Sequence, residues 1–109
     1  MRRLLVLAVV LCVAPPAWAG SAGDALSPAR QVQLEYMLRQ DCGSCHGMTF
    51  KGGLGSPLLP EDLAGKSADA LAEVVLDGIP GTPMPPWRSL LTAPEALWMI
   101  GRLREGLNP

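Results

Sequence analysis

The chain has 109 residues, 49% of them hydrophobic, so it holds one domain and has no room for a second core. Nine basic and ten acidic side chains leave a formal charge of −1, with no basic excess to support nucleic-acid binding. Glycine (12) and proline (11) together make about a fifth of the chain without a collagen-like period, which predicts a loop-rich domain with few regular elements.

The first segment reads as an export signal. Arg2 and Arg3 form a positive start, Leu4 to Ala14 is an unbroken apolar run of 11 residues, and Ala17-Trp18-Ala19 supplies a small-x-small cleavage pattern. Eleven helical residues cover roughly 16 Å, about half the ~30 Å hydrocarbon thickness, so a membrane-spanning anchor is disfavoured. Bulky Leu11 before Cys12 argues against lipid attachment there. Cleavage after Ala19 defines residues 1–19 as signal and 20–109 as the mature domain, with no membrane span. The mature charge is then −3, seven basic against ten acidic residues, and Cys42 and Cys45 are its two cysteines.

The mature chain opens on a small, polar arm, residues 20–27. Ser27-Pro28 then marks a helix start, and the stretch to Gln40 holds good helix formers, with Val32, Leu34, Met37 and Leu38 as its apolar stripe. Five glycines and two prolines between Asp41 and Pro60 predict mostly loop, of a length that wraps something or serves function. Ser67 caps a short helix over Ala68–Asp77, with Leu71, Val74 and Val75 on one face and Gly78 as the stop. Ile79 to Ser89 carries four prolines around Met84. Thr92-Ala93-Pro94-Glu95 is a capping box opening a helix to about Glu105, ended by Gly106. Its apolar residues are Leu97, Trp98, Ile100 and Leu103, and Gly101 leaves space for a close approach. No period-two alternation argues for strands, so the fold class is all-α, three to four short helices joined by long loops.

Chemistry concentrates at Cys42-Gly43-Ser44-Cys45-His46, the C-x-x-C-H pattern of covalent c-type haem attachment. Two thiols two residues apart reach the two vinyl groups on one haem edge, and the next imidazole lies under the iron. His46 is the sole histidine. A redox dithiol would want a strand before the motif, zinc would want a fourth ligand, and a plain disulfide would leave a loop-rich domain with a thin core. One covalent haem c is therefore the expected cofactor. Met84 is the candidate second axial ligand, 38 residues beyond His46 in a proline-stiffened loop; the competing reading makes it a buried hydrophobe. Met48 is too near His46 to reach the opposite face, and Met37 and Met99 fall on helical stripes. Trp87 is placed either against the haem or in the core.

Helix, C-x-x-C-H motif, glycine loop, short helix, methionine loop and final helix together resemble a small class I cytochrome c over most of the mature chain. That resemblance implies that His46 donates its outer N–H to the carbonyl of Pro57, and that the first and last helices cross at Gly101. Residues 40–49, the Lys51-Gly52-Gly53-Leu54-Gly55 run and Pro80 to Trp87 more narrowly resemble the NirC-type monohaem cytochromes, encoded beside the haem cd nitrite reductase of denitrifying bacteria. The implied protein is a periplasmic one-electron carrier, not an enzyme, since a His46/Met84 pair leaves iron no vacancy for substrate. Its expected partners are redox proteins, nitrite reductase among them. The alternatives are an accessory factor in maturation of that reductase, or a haem sensor in which Met84 is displaced.

Overall fold

The computed structural model describes residues 26–107; the expected export signal and its cleavage point at Ala19 lie outside them. All regular structure among the described residues is helical, and no helix there is long and apolar enough to cross a membrane.

Helix α1 (Pro28–Met37) starts on Ser27, whose Oγ accepts from the Arg30 amide at 3.2 Å. Pro28 sits in the first turn, where its missing N–H leaves no bond unmade. The helix does not end at Gln40. A π-helical turn, Leu38–Cys42, leads straight into α2 (Gly43–His46), so the C-x-x-C-H motif lies on helical backbone, not in the expected loop. Glycine stops a helix when it turns left-handed, as Gly47 does at φ 91°; Gly43 keeps a helical φ of −60° and lets the helix pass.

A single turn, α3 (Pro60–Leu63), interrupts the following loop where sequence gave no warning; the Asp62 carboxylate accepts from the Leu59 amide at 3.1 Å and caps it. Helices α4 (Ala68–Asp77) and α5 (Ala93–Glu105) have the expected bounds. Ser67 Oγ accepts from the Ala70 amide at 3.3 Å. Thr92 Oγ1 accepts from the Glu95 amide at 3.3 Å while the Glu95 carboxylate accepts from the Thr92 amide at 2.8 Å. With α1, the π turn and α2 forming one run, the molecule shows four helical stretches among its described residues.

α4 and α5 form the most extensive helix pair, and their inner faces (Ala72 and Leu76 against Ala96, Met99, Ile100 and Leu103) join Leu34 and Leu38 in the core. Three expected apolar positions lie outside it. Val32 is 71% exposed because it sits about 200° around α1 from Leu34, and Val74 and Leu97 also reach the surface. Met99 is buried as a core filler.

The close crossing expected at Gly101 is absent: a Cβ placed there would meet nothing within 4 Å. Leu34 shares the core with α5, and polar bonds also tie the two helices. Arg30 Nε donates to Glu95 Oε1 at 2.6 Å, and an Arg102 nitrogen lies 3.4 Å from Glu35 Oε2. Glu95 is only 9% exposed, and the Arg30 hydrogen bond, aided by the Thr92 amide, holds its carboxyl below the usual range against the opposing effect of burial.

Candidate functional site

The helical run places Cys42 and Cys45 three residues apart, on one side of the backbone a turn from each other. Cys42 is half-buried against the core. Burial, and then the neighbouring Asp41 carboxylate, push its thiol up to about 11. That environment suits a neutral sulfur, and a thioether is neutral. Ser44 Oγ donates to the Asp41 carbonyl at 2.7 Å and lies 3.8 Å from Cys45 Sγ. The two cysteines are not joined in a disulfide, and no group of three or more metal-binding side chains exists among the described residues. The disulfide and zinc readings therefore gain no support.

His46 ends the helix, and the loop beyond it folds back over the motif. The Gly55 amide donates to the Cys45 carbonyl and the Gly52 amide to the His46 carbonyl, each at 2.8 Å. These bonds satisfy carbonyls that a helix terminus otherwise leaves open. The same fold-back brings Gly55 flat against the imidazole: a Cβ there would stand 2.7 Å from both His46 Cε1 and Nδ1. His46 Nδ1 lies 2.7 Å from the Ser56 carbonyl oxygen. A carbonyl only accepts, so Nδ1 carries the proton in this pair and Nε2 keeps its lone pair for a metal.

The accepting carbonyl thus belongs to Ser56, not to Pro57 as expected. Pro57 follows it and restricts Ser56 to extended backbone, and its ring packs beside Gly52. A proline is easy to see in sequence, whereas the carbonyl one residue earlier carries no side-chain signal.

Met84 is half-buried in a loop that starts at Gly78, where the chain leaves α4 with φ 67° and ψ −173°. A Cβ on Gly78 would stand 2.7 Å from the Met84 carbonyl oxygen, so only glycine lets the loop close. The Ile79 amide donates to the Met84 carbonyl at 3.2 Å. Thr82 Oγ1 donates to the Ile79 carbonyl at 2.7 Å and accepts from the Met84 amide at 3.3 Å. Beyond the loop, the Trp87 amide reaches the Val75 and Leu76 carbonyls at 3.1 and 3.0 Å, and its ring packs against the core. Gly55, Ser56, Gly78 and Thr82 were not singled out as site residues from sequence. Gly78 carries a helix-stop signal, while the local signal of the other three is adjacency to His46's loop or to Met84.

The residues fit a covalently held haem: two thiols on one helical turn, an imidazole of fixed tautomer, and a glycine whose missing Cβ leaves the ring unobstructed. A family model described as cytochrome c oxidase, cbb3-type, subunit III matches residues 29–101. The chain belongs to this family and is a small c-type cytochrome, an electron carrier with one haem c attached through Cys42 and Cys45.

Within it the chain belongs with the cytochrome c55X proteins. It is 49% identical to that of Pseudomonas aeruginosa over 102 residues, 94% of this chain and 85% of the relative. It is 50% identical to that of Paracoccus denitrificans over 103 residues, 94% of each. The solved c-type cytochrome NirC superposes with a TM-score of 0.71 at 52% identity, covering 73% of this chain and 94% of NirC, so the two share the cytochrome c fold. The dihydro-heme d1 dehydrogenase NirN, solved in complex with DHE, matches with a TM-score of 0.61 at 33% identity over 69% of this chain but only 16% of its own.

Proposed function

We propose that the chain is a periplasmic one-electron carrier, exported by residues 1–19, whose haem iron is ligated by His46 and Met84 and which passes electrons to a haem cd nitrite reductase in denitrification. Bound haem c supplies the ferric/ferrous couple. The observation that carries the reading is the His46 clamp: Nδ1 held at 2.7 Å by the Ser56 carbonyl with Gly55 against the ring, which leaves Nε2 as the ligating atom. Oriented this way, the imidazole stays put through reduction and reoxidation, which keeps reorganisation small. Met84 as second ligand is supported by its backbone, whose N–H and carbonyl are both bound within its loop. Pro57 acts by shaping Ser56, and Trp87 by anchoring the methionine loop to the core.

The test is spectroscopic. The ferric holoprotein should show the weak near-red band of methionine–iron bonding, and Met84→Ala should lose it while keeping covalent haem. Persistence of the band in Met84→Ala would overturn the ligation. Ready carbon monoxide binding by the reduced wild type would favour a sensor with displaceable Met84.

A second reading, service in maturation of the reductase, is supported by the likeness to a small part of a dihydro-heme d1 dehydrogenase. A dehydrogenase must hand its electrons on, and a one-electron carrier resembling its own cytochrome portion suits that exchange. Faster reduction of purified nitrite reductase favours donation; normal turnover with missing cofactor in a deletion strain favours maturation.

A further inference from the structure

Between residues 80 and 86 four of seven positions are proline, so the segment owns three amide N–H groups, on Gly81, Thr82 and Met84. A loop so poor in donors cannot be held by a backbone ladder, and Met84 needs another partner if its side chain is to be presented in one place. The Thr82 hydroxyl is that partner. It accepts from the Met84 amide at 3.3 Å and donates to the Ile79 carbonyl at 2.7 Å, where the Thr82 amide also arrives at 3.1 Å. The Ile79 amide closes the circuit on the Met84 carbonyl at 3.2 Å. One side-chain oxygen therefore links the base of the loop to the residue at its working end.

We infer that Thr82 is the positioning residue for Met84: its hydroxyl holds the methionine backbone so that the thioether is offered to iron at fixed height, and this sets how readily an outside ligand displaces it. The inference rests on Met84 ligation. Valine at position 82 has the same shape without the hydroxyl, so Thr82→Val frees the Met84 amide while leaving the van der Waals envelope nearly unchanged. A hydrogen bond of ordinary strength corresponds to about a five- to ten-fold change in an equilibrium constant. Thr82 is exposed, so global folding is not the expected target.

The experiment titrates ferric holoprotein with imidazole and follows loss of the near-red band, for wild type, Thr82→Val, Thr82→Ser and Met84→Ala, with thermal unfolding of each as a separate readout. Thr82→Val should bind imidazole about five- to ten-fold more tightly, with little change in melting temperature, and Thr82→Ser should stay near wild type. Unchanged imidazole affinity in Thr82→Val, with the band lost in Met84→Ala, would overturn the role of Thr82 and leave the ligation standing. A band that survives in Met84→Ala would overturn both. Equal tightening in Thr82→Ser and Thr82→Val would show that the methyl group or the loop's bulk, rather than the hydroxyl, does the positioning, and would also refute the inference.

Discussion

The two loops that flank the site are built on opposite plans. The loop after His46 is tied to the very helix that bears the haem attachment: Cys45 and His46 carbonyls accept its amides, Ser56 meets the imidazole and Gly55 lies on the ring. The loop around Met84 is tied to itself, through Ile79 and Thr82, and joins α4 where Gly78 leaves it and where Trp87 and Arg88 return to it. The difference teaches that the proposed proximal side is as firm as the attachment helix, while the opposite side can open without disturbing it. Of the two proposed ligands, His46 is fastened to the attachment helix and Met84 is not.

Substitutions at the two glycines break this contrast most directly. Gly78→Ala places a Cβ 2.7 Å from the Met84 carbonyl oxygen at a φ of 67°, a backbone region open essentially to glycine. We expect a loss of about 3 kcal/mol in chemical denaturation. The near-red band should vanish while covalent haem, read by mass, remains. Gly55→Ala presses on a side-chain ring instead of backbone, and the ring can tilt; about 2 kcal/mol is expected. Here the near-red band should survive while the reduction potential rises and the holoprotein yield falls, because a weakened Ser56 bond makes the imidazole a poorer donor to ferric iron. Identical spectra for the two variants would remove the distinction between the loops.

Glu95→Gln sharpens the comparison from outside it, since Glu95 touches neither loop's ligand. It removes a charge bonded both to Arg30 and to the Thr92 amide, and should cost about 1–2 kcal/mol with an unaltered visible spectrum. The pH dependence has a definite sign. A carboxyl whose pKa is lowered in the folded state stabilises above its unfolded value, and that stabilisation disappears as pH falls through the folded value. Acid titration of melting temperature from pH 6 downwards should therefore show a fall below the ordinary glutamate range that is shallower in the variant. Parallel curves would dismiss Glu95 as the source.

Helix limits were legible at three of the four helical starts, where a side chain caps its own backbone; the exception is the single turn α3, capped by Asp62. Ser27, Ser67 and the Thr92–Glu95 box announce Pro28, Ala68 and Ala93, and Gly78 and Gly106 announce the ends of α4 and α5. Such bonds span three or four residues, so sequence contains both partners. The attachment motif was legible for the same reason. What stayed hidden depends on distant partners: the helical path through Gly43, the buried choice of Ala72 and Leu76 over Val74, the Arg30–Glu95 bond, and the empty space beside Gly101. Phe50 is a further case, a buried non-glycine residue at φ 58° that the local sequence does not announce.

The proline spacing around Met84 has a consequence beyond ligation. With three amides in seven residues, the segment offers a neighbouring chain almost no donors for strand addition. An exposed, apolar stretch of this kind would otherwise invite edge-to-edge association between copies. Its composition lets the protein display an unpaired loop at the surface while remaining a poor template for intermolecular β-pairing.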